Sequence, residues 1–150
     1  MTQVDFYHLT SSELDAALIM LLKKTLAAGK KALIMCPTPA ASGFDDLLWT
    51  FEPDAWVPHG VDDGDGQQQA KVWISTDPKK NQIAAPFLFL THGVMPDSWD
   101  GIERAFVLFD GRSDAQVQQA RGHWKEVIGR GELNASYFAQ DDDGRWQKKG

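Results

Sequence analysis

Apolar positions along the chain follow two alternating rhythms. The run Val4-Asp5-Phe6-Tyr7-His8-Leu9 is mostly β-favouring and predicts an opening strand. Leu14, Ala17, Leu18, Leu21 and Leu22 then recur at helical spacing and make one apolar face. Ser12 and Asp15 read as a capping-box-like pair at the start of that helix, and Gly29 as its stop. Lys31-Ala32-Leu33-Ile34-Met35-Cys36 follows as a continuous apolar run, the kind that a parallel sheet buries on both faces. Strand, helix and strand within about 30 residues make a βαβ unit.

Pro37, Pro39 and Gly43 punctuate the chain before a second, short helix around Phe44 to Phe51. The segment from Asp62 to Gln69 is polar and Gly-rich, which predicts an exposed loop. Further strands are expected at Val72-Trp73-Ile74-Ser75, at Phe87-Leu88-Phe89-Leu90 and at Ala105-Phe106-Val107-Leu108-Phe109. A helix from about Asp114 to Ile128 ends at Gly129 and Gly131. Ser136-Tyr137-Phe138-Ala139, the acidic turn Asp141-Asp142-Asp143-Gly144 and Arg145-Trp146-Gln147 suggest a terminal hairpin. No internal repeat or composition shift marks a boundary. The expected fold is therefore a single α/β domain over residues 1–150, a mostly parallel twisted sheet flanked by helices.

Composition changes this picture only in its functional part. With 150 residues, 43% hydrophobic and 24% charged, the chain is ordinary for one globular core. The single cysteine, Cys36, closes no intramolecular bridge and fits a reducing compartment. There is no secretory-signal pattern and no apolar run near the ~20 residues that span a bilayer, so a cytoplasmic protein is expected. Fifteen basic against 21 acidic residues leave a net charge of −6. Nucleic-acid binders gain affinity by neutralising phosphates, so direct DNA binding over a broad surface is not expected. Six tryptophans are notable, because Trp is enriched at binding hot spots as well as in cores.

A parallel sheet often binds nucleotides, but the turns here are unsuited to it. Thr10-Ser11-Ser12 after the first strand lacks glycine, and Cys36-Pro37-Thr38-Pro39 after the second has lost N–H groups to proline. Gly29-Lys30-Lys31 stands between helix and strand, the wrong context for a phosphate loop. Cys36 sits where such folds place reactive groups, with His8, His59, His92 and His123 as conceivable partners; a small buried hydrophobe is the simpler account. The four histidines show no metal-ligand spacing, and Asp62, Asp63 and Asp65 make only half of a calcium loop. No metal and no cofactor are expected.

One constellation remains. Arg121, Trp124 and Lys125 lie at i, i+3 and i+4 and share a face of the late helix, with Val117 before them and Ile128 continuing the stripe. Two cations framing an aromatic suit a peptide bearing a carboxylate and a ring. An amphipathic helix with Trp124 buried and two snorkelling cations fits the same pattern. A second aromatic group, Trp49 and Phe51 with Trp56 and Pro58, suits either protein docking or core packing. A small α/β enzyme or nucleotide-binding domain using the strand ends near Cys36 and a direct single-strand binder using exposed Trp faces are the competing readings.

Several of these pieces, in order and over nearly the whole chain, resemble the chi subunit family of bacterial DNA polymerase III. They are Asp5-Phe6-Tyr7-His8-Leu9, the strand Lys31 to Cys36, and Leu47-Leu48-Trp49 followed by Trp56-Val57-Pro58-His59. The helix with Ala120-Arg121 and Trp124-Lys125 and the end from Tyr137-Phe138 to Gly144-Arg145-Trp146 complete the series. The resemblance implies a Rossmann-like fold without NTPase activity. It also implies an adapter that binds the acidic C-terminal tail of single-stranded-DNA-binding protein, which ends in an aspartate and a phenylalanine carboxylate, and pairs with a psi subunit, which tethers it to the clamp loader. For the tail, the family's Arg falls on Arg121, its aromatic on Trp124 (where a Tyr is familiar) and its Lys on Lys125. The family pattern also carries an apolar residue and a Lys where this chain has Asp110 and Val117. For psi, the aromatic pair falls on Trp49 and Trp56, with Pro58 and His59 in the adjoining motif.

Overall fold

The computed structural model describes residues 2–50 and 57–150. In chain order the elements are β1 (Thr2–Leu9), α1 (Leu14–Ala27), β2 (Ala32–Met35), α2 (Thr38–Thr50), β3 (His59–Val61), β4 (Val72–Ser75), β5 (Phe87–Leu90), β6 (Arg104–Asp110), α3 (Asp114–Ile128), β7 (Leu133–Gln140) and β8 (Trp146–Lys148). The strands form one sheet in the order β3-β4-β2-β5-β6-β1-β7-β8. All pairings are parallel except β7 with β8, the antiparallel terminal hairpin. The expected α/β class and mostly parallel sheet are therefore found. Among the described residues no helix is long and apolar enough to cross a membrane.

The apolar rhythms explain the layering. β2, β4 and most of β5 and β6 are buried along their whole length, as continuous hydrophobic strands must be when helices lie on both faces. On one face Leu18, Leu21 and Leu22 of α1 and Phe44 and Leu48 of α2 pack with Ile34, Ile74, Phe89 and Leu108. On the other, Ala120 and Val127 of α3 pack with Val4, Phe6, Val107 and Phe109. The β1–α1–β2 unit does not join neighbouring strands: β5 and β6 lie between its two strands. β1 instead sits between β6 and β7, which brings the first and last parts of the chain together under α3.

Three local expectations are corrected. The helix α1 has Glu13 at its N-cap with no side-chain cap, so Ser12 and Asp15 form no capping box. The amide oxygen of Gln140 on β7 accepts the N–H groups of Thr10, Ser11 and Ser12 at 3.1, 3.0 and 3.0 Å, and its Nε2 donates to the Ser12 hydroxyl at 2.7 Å. A long-range partner has thus taken the role of a local cap. The second helix starts at Thr38, not near Phe44, because Pro39 lies in the first turn, where its missing N–H has no helical acceptor anyway. Gly43 is tolerated inside that helix, and the expected end at Phe51 lies outside the described residues.

Finally, Asp62 is not a solvated loop residue. It is half-buried, its carboxylate accepts the Thr76 backbone N–H and hydroxyl at 2.7 Å each, and its carbonyl accepts Trp73 Nε1 at 2.8 Å. Trp73 is wholly buried, and its ring lies against Gly60 of the short strand β3, where an added Cβ would overlap it. Because the ring is pinned at Nε1, it has little room to yield. A Gly60→Ala chain should lose about 1–3 kcal/mol of stability through overpacking. Denaturant unfolding of the two proteins measures this, and equal midpoints would mean the ring can move aside.

Candidate peptide-binding site

The helix α3 is set at both ends by its own sequence. The Ser113 hydroxyl accepts the Gln116 N–H at 3.3 Å, Asp114 complements the N-terminal dipole and Lys125 the C-terminal one, and Gly129 ends the helix. Its inner stripe is Ala120 and Val127, fully buried, with Val117 and Trp124 partly buried against the same core. Trp124 sits at the margin of this stripe. Its ring meets Phe6 edge-on at 5.3 Å and Tyr137 edge-on at 5.8 Å, so the indole is oriented from below and from the side.

What lies beside that ring is a concavity of about 340 Å³, lined by Ala120, Arg121, Trp124 and Lys125 of α3, Tyr137 of β7, and Lys149 with Gly150. Arg121 and Lys125 are exposed, and their side chains make no hydrogen bond or ion pair among the described residues. Neither cation therefore has a counter-ion within hydrogen-bonding reach. An apolar pocket of this size with cations on its rim can take an aromatic side chain while the guanidinium receives a carboxylate bidentately.

The residues expected at this site divide accordingly. Arg121, Trp124 and Lys125 come together on the pocket. Val117 packs into the core beneath α3, and Ile128, 57% exposed, lies beyond the pocket wall. Tyr137 and Lys149 line the pocket although neither was expected there. The hairpin brings them: the Lys149 N–H donates to the Tyr137 carbonyl at 2.7 Å, and the Tyr137 N–H donates to the Gly150 carbonyl at 3.1 Å. The signal was the terminal hairpin itself, whose register with β1 determines what faces α3.

The second aromatic group is partly in view. Trp49, at the end of α2, is 58% exposed, and its ring meets His59 edge-on at 4.7 Å. The buried His59 ring is held by Nδ1, which donates to the Val57 carbonyl at 2.7 Å, a tautomer assigned from that bond. Its Nε2 lies 3.3 Å from an Asp45 carboxylate oxygen but out of line for a hydrogen bond. The Pro58 carbonyl accepts the Lys71 N–H at 2.9 Å, just before the start of β3. Trp56 and Phe51 lie outside the described residues.

Two competing features fare worse. Cys36 is 1% exposed, and burial, with a smaller contribution from Asp62, pushes its thiol up to about 11. The thiolate is the nucleophile, so a buried thiol of this kind is inert near neutral pH. A larger concavity of about 860 Å³ is lined by Asp97, Asp100, Glu103 and Glu132, with Arg130 tied to Glu132 at 2.7 Å. Its rim repels the anionic groups of nucleotides and acidic peptides alike.

Residues 1–133 match the family model described as DNA polymerase III chi subunit, HolC. The DNA polymerase III subunit chi of Haemophilus influenzae is 30% identical over 101 residues, covering 67% of this chain and 69% of the relative. That of Pseudomonas aeruginosa is 29% identical over 82 residues, covering 52% and 58%. The family match takes in α3 and ends before Tyr137 and Lys149.

Proposed function

The chain belongs to the DNA polymerase III chi subunit family, and from that premise we propose that it is a non-catalytic adapter of the clamp-loader assembly in cytoplasmic DNA replication. Its first partner is the acidic C-terminal tail of single-stranded-DNA-binding protein. Arg121 and Lys125 attract the tail carboxylates, and the pocket beside Trp124 receives the terminal phenylalanine ring. The observation that carries this reading is the pairing of cations that lack a close counter-ion with an apolar cavity of ring size on one helix face. Its second partner is a psi subunit docking on Trp49, whose exposed indole beside the anchored His59 suits a hot-spot contact. Pro58 and Trp56 are assigned to that surface by family resemblance alone. The net charge of −6 favours reaching DNA through a protein partner over gripping phosphates directly.

Calorimetric titration with a synthetic acidic peptide ending in a phenylalanine carboxylate tests the first contact. Saturable binding is expected, and a peptide lacking that residue should not bind measurably. Absence of binding at low salt would overturn the assignment, because screening is then weakest.

A further inference from the structure

Behind the pocket wall lie side chains that the tail-binding reading does not use. Tyr137 is two residues before Ala139, the register partner of His8 on β1. The two side chains meet on the α3 face, His8 Nδ1 lying 2.7 Å from the Tyr137 hydroxyl. The imidazole is confined. It packs 5.0 Å from the Phe109 ring, and a Cβ at Gly111 would overlap it, so only glycine lets the β6–α3 turn pass so close. On that side it is the Nε2 edge of the ring that faces Gly111. With the proton of the neutral ring assigned to Nε2, the edge that faces Gly111, Nδ1 is a bare acceptor and Tyr137 donates to it.

We propose that His8 is a positioning residue for Tyr137, and that its protonation turns the Tyr137 hydroxyl into a donor for the bound acidic peptide. This rests on the tail-binding reading of the pocket. When a solvent proton adds to Nδ1, the new N–H donates to the Tyr137 oxygen, and the tyrosine's own hydrogen must point elsewhere. The pocket, lined by Tyr137 itself, is where a peptide carboxylate can accept it. The added positive charge next to the wall acts in the same direction. Affinity for an acidic peptide therefore rises as pH falls.

The charged groups that face His8 determine where this happens. Burial is the main influence and holds the imidazole below its ordinary value; Arg121 on α3 pushes the same way, while the Gly111 backbone and Asp110 on β6 oppose it. Asp110 is itself engaged by Arg112 at 2.8 Å. On β7 the facing titratable group is Tyr137, which burial raises further from ionisation. The change thus falls on the acid side of about pH 6.5, where peptide carboxylates with ordinary values near 4 are still charged. By linkage, a peptide that prefers the protonated ring must raise the affinity of His8 for its proton by the same factor.

The test is peptide titration of the full chain and of His8→Asn at about pH 7.5 and about pH 5.5, at constant ionic strength. Asparagine offers Tyr137 an acceptor in the same place but cannot gain a proton. The parent chain should bind about fivefold more tightly at the lower pH, the low end of a typical coupling, and His8→Asn should respond little. In the parent chain, the imidazole resonances of His8 should titrate at higher pH once peptide is bound, a readout that does not depend on the variant folding. Binding that is equal at both pH values, or a pH response kept in His8→Asn, would overturn the role of His8 and leave the pocket standing. No binding at either pH would overturn both.

Discussion

Replacing Arg121 with alanine should weaken binding of the phenylalanine-ending acidic peptide by about 1–3 kcal/mol, roughly 5- to 150-fold. The guanidinium has no hydrogen bond or ion pair among the described residues, so in the free protein nothing competes for it. Its charge-assisted bonds to a carboxylate therefore come at the cost of desolvation and side-chain ordering only. For the same reason the substitution leaves no partner stranded, and thermal stability should hardly change. That separates the residue from its neighbour Trp124, whose contacts with Phe6 and Tyr137 tie it to the core. Raising the salt should bring the parent chain and the variant closer together, since an exposed charge is screened on a scale of about 8–10 Å. Calorimetry at low salt decides the matter: an unchanged affinity would move the carboxylate contact to Lys125 or Lys149.

Half of this pocket was legible in the sequence because it lies within one and a bit turns of a single helix. Spacing at i, i+3 and i+4 places three side chains on a face whatever the rest of the chain does. Both ends of α3 could be read as well, since Ser113 and Gly129 act locally. Tyr137 and Lys149 could not be, because their position depends on β7 pairing with β1, an event between residues more than 100 positions apart. The same physics explains the errors at α1 and α2. Ser12 met an unforeseen partner in Gln140, and Pro39 stood where proline does no harm. The short strand β3 has no pattern of its own; the Pro58 carbonyl and the ring of Trp73 hold it in the sheet. Strand order was equally hidden, for apolar runs of like composition do not say which neighbours they will choose.

The link between fold and pocket runs through Phe6, and Phe6→Ala should have the largest effect on stability. The side chain is wholly buried on β1, in register with Val107 on one side and Tyr137 on the other. Truncation removes a ring and leaves a cavity that neighbouring strands cannot close, which costs about 3–5 kcal/mol. For a chain of this size the melting temperature should fall by roughly 6–20 °C, measurable by calorimetry or circular dichroism. The consequence for binding is separable from unfolding. Phe6 supports the Trp124 indole edge-on, and without it the indole can tip into the cavity and spoil the apolar side of the pocket. Peptide affinity measured well below the lowered melting point should therefore be reduced in the folded variant too. Full affinity there, together with the lost stability, would mean that Tyr137 alone suffices to hold Trp124, and that the core beneath α3 matters to the fold but not to the pocket.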